Sequence, residues 1–139
     1  MSKIIFVNLP VQNLAASTHF YEAIGCTKND QFSDHQASSM VWFENITFQL
    51  LTRDYFATFV SRQIADAHTA CGMLIALTCD SRDAVDAIVG AAAKSGGRAD
   101  VRELMDLGWL YNRAFEDLDG NIFEAVWMDA SAIPASSAK

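Results

Sequence analysis

The stretch Asp117–Trp127 reads DLDGNIFEAVW, a turn that runs straight into a strand. Asp-Leu-Asp-Gly has turn chemistry: Asp side chains bond nearby backbone N–H groups, and Gly reaches the left-handed conformation that closes a tight turn. The residues from Asn121 to Met128 then read as a strand of aromatic and β-branched residues interrupted by one carboxylate, Glu124. Phe123 and Ala125 alternate with Glu124, so the acid faces away from the side that those two bury. A closing strand with a lone acid leaves open whether Glu124 is a metal ligand, a base or a solvated charge.

Working backwards, Trp109–Glu116 predicts the other arm of the hairpin and Ala99–Leu104 a further strand. Ser95-Gly-Gly97 ends a helix over Arg82–Lys94, capped by Asp80 or Ser81, with Ala84, Val85, Ile88, Val89 and Ala92 as its apolar stripe. Met73–Cys79 predicts the strand before it. The unit is β-α-β-β-β. The same order occurs earlier in the chain: a strand Lys3–Pro10, a helix Leu14–Ile24 capped by Asn13 and stopped by Gly25, and strands Thr27–Ser33, Ser39–Phe43 and Ile46–Thr52. Leu9–Val11 matches Leu77–Cys79 at an offset of 68 (77 − 9), and Thr47–Leu50 matches Ile122–Ala125 at 75 (122 − 47). Two copies of a unit that cannot bury a core alone imply a pseudo-symmetric pair. The expected organisation is one domain over 1–129, with module one at 3–52, a linker at 53–72, module two at 73–129 and a fraying tail at 130–139. Within the linker, DYFATFVSRQIADA predicts a short helix or lid, whose Tyr55, Phe56, Phe59 and Val60 need cover from the sheets or from a second subunit.

The chain has 139 residues, 51% of them hydrophobic, which is enough for a full core. A net charge of −7 with scattered Lys and Arg argues against nucleic-acid or anionic-membrane partners. Cys26, Cys71 and Cys79 are odd in number and form no CxxC, so reduced thiols in a cytoplasmic protein fit best. The N-terminal MSKIIFVNLP lacks the apolar run of a secretory signal, and no apolar run approaches the ~18 residues of a membrane span.

Three passages together resemble the vicinal oxygen chelate superfamily, which includes glyoxalase I, bleomycin-resistance proteins and extradiol dioxygenases. LPVQNLAASTHFYEAIG (Leu9–Gly25) looks like that family's first strand and helix, and LIALTCDSRDAVDAIV (Leu74–Val89) like the start of its second module. RAFEDLDGNIFEAVW (Arg113–Trp127) is similar to its closing hairpin, DPxGNxxE, with Leu118 in place of Pro. The resemblance implies an α+β fold: two βαβββ modules forming a curved mixed sheet around a central cup, with helices outside and homodimers common. It also implies four metal ligands inside the cup. Laid onto this chain they fall at Phe6, Gln49, Leu74 and Glu124, of which only Glu124 keeps a family ligand. The offsets of 68 and 75 relate Phe6 to Leu74 and Gln49 to Glu124, and aim all four at one shared cavity.

A divalent metal needs several N, O or S donors, and Phe and Leu supply none. Zn, Ni, Mn or Fe is therefore not the expected cofactor; if a metal binds, Glu124 is its ligand. His35 and His68 do not fall at ligand positions by spacing. Glu124 then has two readings. It is a solvated carboxylate or a partner of Arg113 across the hairpin; or it holds a ligand hydroxyl or amine, or acts as a base. Gln49 holds a ligand polar group or bonds to its neighbours. A cup with Phe6 and Leu74 in place of two His favours an organic ligand with a flat or apolar part. Trp109 and Tyr111, beside Gly108, are rim candidates, and Arg113 is a counter-charge candidate for an acidic ligand. The function expected is binding of a small organic molecule without the family's metal. The alternatives are a metal-dependent lyase of glyoxalase I type and a non-catalytic interaction module.

Overall fold

A β-α-β-β-β unit followed by a second unit of the same plan with one strand more makes up the computed structural model, which describes residues 2–134. The first compact unit runs to Ala70 and takes in Leu118–Gly120; the second holds Cys71–Asp117 and the chain from Asn121 onwards. The architecture is mixed α+β, with one sheet of four strands and one of five.

In the first unit, β1 (Ile5–Val11) leads to helix α1 (Leu14–Ala23), then to β2 (Thr27–Lys28), β3 (Ala37–Phe43), β4 (Ile46–Thr52) and a short helix α2 (Arg53–Ala57). The sheet order is β1-β4-β3-β2, with β1 parallel to β4 and the other pairs antiparallel. The Asn13 side chain accepts from Ala16 N–H at 3.0 Å, which satisfies one of the free donors that open α1. Phe20 and Tyr21 of α1 are fully buried with Leu9, Met40, Phe48 and Leu50 of the sheet. The Tyr21 and Phe48 ring centroids are 5.7 Å apart. Each such buried side chain contributes roughly 1.5–3 kcal/mol relative to exposure.

The second unit repeats the plan. β5 (Leu74–Thr78) and helix α3 (Arg82–Lys94) are followed by β6 (Arg98–Ala99), β7 (Met105–Asp106), β8 (Leu110–Glu116) and β9 (Ile122–Met128). The order is β5-β9-β8-β6, with β7 also on β8 and β5 parallel to β9. Ser81 is the cap of α3, accepting from Ala84 N–H at 3.0 Å. Val85, Val89 and Ala92 are fully buried, as are Phe115 and Phe123, whose rings stack at 5.3 Å.

Two predicted strands are shorter than expected. Thr27–Ser33 pairs with β3 only through Thr27 and Lys28. The Asn29 side chain then accepts from Gln31 N–H and opens a 3-10 turn over Asp30–Phe32, an alternative to the ladder that Asn offers readily. Ala99–Leu104 is not a strand beyond Ala99. Asp100 adopts φ +52°, the regular ladder stops, and only the Val101 N–H still reaches β8, at the Ala114 carbonyl 3.3 Å away, until pairing resumes at Met105. At the other end, the predicted tail begins with a 3-10 turn over Ala130–Ala132 capped by Asp129, and residues 135–139 lie outside those described.

The turn Asp117–Asn121 closes as its sequence requires. Asp117 accepts from the backbone N–H and the side-chain amide of Asn121, both at 2.9 Å, and Gly120 has φ +93°.

Candidate functional site

The site in the first unit starts from strand register. In β1 and β4, Leu9, Val11, Phe48 and Leu50 are buried on the α1 side, so period-2 geometry turns Phe6, Asn8, Thr47, Gln49 and Leu51 to the other face. Asn8 is the parallel partner of Gln49, and Ser39 of β3 is its antiparallel partner. A polar row, Asn8–Gln49–Ser39, therefore crosses three strands. On one side of it runs Phe6–Thr47–Val41, on the other Pro10–Leu51–Ala37.

Helix α2 packs over β1 and β4. The Thr52 hydroxyl caps it by accepting from Tyr55 N–H at 3.3 Å. This places Tyr55 and Phe56 above the strands, with the Phe59 ring edge-on to Tyr55 at 5.0 Å. Asn8, Gln49, Leu51, Tyr55, Phe56, Phe59 and Val60 line a pocket of 520 Å³, a volume in the range of small-molecule sites. None of these seven side chains is charged. Gln49 Oε1 is buried and has no hydrogen-bond partner. Leaving a buried acceptor unpaired costs about 1–3 kcal/mol, so Gln49 carries an unmet hydrogen-bonding demand at the pocket wall.

In the second unit the predicted candidates divide between the two faces of the sheet. Glu124 pairs with Ala114 on β8, whereas Arg113 pairs with Ala125 and Tyr111 with Trp127. Arg113 and Glu124 therefore lie on opposite faces, which removes Arg113 as a partner of Glu124, one of the alternatives the sequence left open. Arg113 donates to Asp100 at 2.7 and 3.0 Å and to Asp86 of α3 at 2.8 Å. Tyr111 Oη donates to Asp86 at 2.8 Å. Tyr111 and Arg113 are thus tied to the α3 side, and neither stands beside Glu124. These contacts hold the Asp86 and Asp100 carboxyls below their usual range, Asp86 through the Tyr111 hydroxyl and then Arg113, Asp100 through Arg113. On the same side the Arg82 guanidinium forks onto Asp106 at 2.8 and 2.9 Å and lies 4.9 Å from the Tyr111 ring and 5.3 Å from that of Trp127. Trp109 precedes β8; its carbonyl accepts from Asp129 N–H at 2.7 Å.

Glu124, on the opposite face, is held by Arg102, whose Nη2 donates to Glu124 Oε2 at 2.7 Å and also to Asn112 Oδ1. Arg102 comes from the excursion between β6 and β7, in the segment predicted as a strand. Its only sequence signal was a single cation in DVRELMD. Asn8 was missed as well, although the alternation that selects Phe6 also places Asn8, two residues on, on the same face. Phe6 and Leu74 are more than half exposed, and each holds the same register place in its own sheet, opposite Thr47 and Ile122.

Solved structures share this architecture across nearly the whole chain. A hypothetical protein from S. aureus is 24% identical, with 91% of this chain and 94% of that one covered at a TM-score of 0.76. A glyoxalase/bleomycin resistance protein/dioxygenase family enzyme from Burkholderia phytofirmans PsJN is 16% identical, with 92% and 100% covered at 0.74. The chain has the glyoxalase/bleomycin-resistance fold. The fosfomycin resistance protein FosX from Mesorhizobium loti has this fold too, at 14% identity, 94% and 96% coverage and a TM-score of 0.66. No protein-family model matches the sequence, and no curated protein does.

The four positions that the sequence resemblance marks for a divalent metal offer it few donors. Phe6 and Leu74 have none, Gln49 is a carboxamide, and the Glu124 carboxylate is engaged by Arg102. Among the described residues no group of three or more His, Cys, Asp or Glu side chains is arranged to hold a metal ion. These residues do not fit the ion. No helix among them is long and apolar enough to cross a membrane.

Proposed function

We propose that this glyoxalase-like protein binds a small organic molecule in the pocket of its first unit, without a metal ion. The observation that carries the reading is the buried, unpartnered Gln49 Oε1 at a pocket also lined by Asn8, Leu51, Tyr55, Phe56, Phe59 and Val60. An apolar body fills the walls, and a donor on the ligand satisfies the carboxamide. A titration of isotope-labelled protein with neutral bicyclic aromatic compounds, followed by NMR, tests this. The expected shifts concentrate in the Gln49 side-chain amide and in residues 55–60. Shifts elsewhere, or none at millimolar ligand, would remove the reading.

The metal-free part rests on the donor set and has its own test. Protein purified without chelators or a histidine tag is expected to hold no stoichiometric Zn, Ni, Mn or Fe. A stoichiometric ion lost on Glu124→Ala would return the protein to the lyase reading. A homodimer in the cytoplasm belongs to the same proposal. The dimer part is supported by Ile4, Ile5 and Phe43, each more than half exposed at one end of the first sheet, and is checked by sedimentation equilibrium.

A further inference from the structure

We infer that the ligand of this pocket is uncharged and presents a hydrogen-bond donor beside a carbonyl-type acceptor on the edge of a flat ring, as a lactam does. The inference rests on the pocket reading above and narrows its substrate class.

Charge is the first discriminator. The lining contains two carboxamides, two aliphatic side chains and three aromatic rings, and no ionised group. A charged ligand would find no counter-charge there to offset what hydration it gives up, a disadvantage that neutral ligands escape. The chain's net charge of −7 adds long-range repulsion for anions.

Hydrogen-bond pattern is the second. Gln49 Oε1 requires a donor, because no protein group supplies one. Asn8 is the direct strand partner of Gln49 and lines the same pocket, so a second carboxamide stands next to the first. A carboxamide offers donor and acceptor side by side. A ligand edge that alternates in the same way pairs with this row, whereas a ligand with acceptors alone leaves Oε1 unpaired. The Tyr55–Phe59 edge-to-face pair and Phe56 supply aromatic surface, and aromatic contacts favour a planar partner.

Three matched probes separate these features: quinolin-2-one, which has N–H beside C=O; N-methylquinolin-2-one, which keeps the ring and carbonyl and loses the donor; and quinoline-2-carboxylate, which carries a charge. Calorimetric titration of the wild-type protein is expected to rank quinolin-2-one tightest, with the other two weaker by about tenfold or more. Gln49→Leu is expected to erase the difference between quinolin-2-one and its N-methyl derivative. Gln49→Glu, which keeps an acceptor, is expected to retain it. Equal binding of the two quinolones, or tightest binding of the carboxylate, would overturn the ligand class and leave the pocket reading standing. If none of the three bound the wild-type protein, the pocket reading itself would fall, and this inference with it.

Discussion

Arg102 reaches across from the excursion between β6 and β7 to set its guanidinium 2.7 Å from Glu124, the one acidic side chain of β9. The carboxylate side chain is only 20% exposed, so removing its partner leaves a poorly hydrated charge. A double-mutant cycle on Arg102→Ala and Glu124→Ala, read from urea denaturation, is expected to give a coupling of about 1 kcal/mol, between the values of exposed and buried pairs. Zero coupling would mean that the contact is not maintained in solution.

Gln49 should show a conflict between stability and binding. Replacing it with Leu removes the unpaired buried acceptor and adds apolar contact with Leu51 and the α2 aromatics. Gln49→Leu is expected to stabilise the unliganded protein by about 1 kcal/mol while weakening donor-bearing ligands. Thermal melts with and without quinolin-2-one measure both. Destabilisation of the unliganded variant would mean that Gln49 has a structural partner.

Acid should unfasten the outer face of the second unit. The Asp106 carboxyl is lowered from 3.8 to about 2, first by the hydrogen bonds from Arg82 and then by that from Gly108 N–H. A carboxyl with a depressed folded-state pKa contributes stability that is present above its unfolded value and lost as pH falls through the folded one. Urea midpoints are therefore expected to drop between about pH 4 and pH 2. Asp106→Asn should flatten part of that drop. An unchanged pH profile in the variant would show that Asp106 is not one of the groups responsible.

Gly120 is irreplaceable for two separate reasons. Its φ of +93° strains any L side chain, and an added Cβ would stand 2.6 Å from the His68 backbone nitrogen and 2.7 Å from the Ala67 carbonyl carbon. Backbone atoms cannot swing aside. Gly120→Ala is expected to cost about 2 kcal/mol or more in chemical denaturation, and a near-neutral effect would show that residues 67–68 move freely.

The three thiols should differ in reactivity. Burial pushes the Cys26 thiol up to about 12, so almost no thiolate exists near neutral pH, whereas Cys71 is exposed. Mass-resolved alkylation of native protein is expected to label Cys71 first and Cys26 only after unfolding.

Much of the architecture was legible because it is local. The bounds of β4 and α3 coincide with the predicted Ile46–Thr52 and Arg82–Lys94, since hydrophobic periodicity and capping residues act within a few positions. The offsets of 68 and 75 reappear in register: Phe6 opposite Thr47 corresponds to Leu74 opposite Ile122, and Asn8 opposite Gln49 to Ala76 opposite Glu124. The candidate site was harder to read. Tyr111 was expected at a rim beside Gly108, and Arg113 as a counter-charge or as one of the partners open to Glu124. The hairpin register pairs Arg113 with Ala125 and so puts both on the face opposite Glu124. Arg102 was hidden inside a supposed strand, which the left-handed Asp100 ends.

By itself the sequence determined the repeated β-α-β-β-β plan, the DLDG turn and the face on which Gln49 and Glu124 lie, because alternation and turn chemistry are properties of neighbouring residues. That Asn8 stands beside Gln49, that α2 packs over their strands and that Arg102 pairs with Glu124 came from the folded chain. Parallel register and the path of an irregular loop are set by contacts between residues far apart in the chain, and no local pattern encodes which distant cation reaches a given carboxylate.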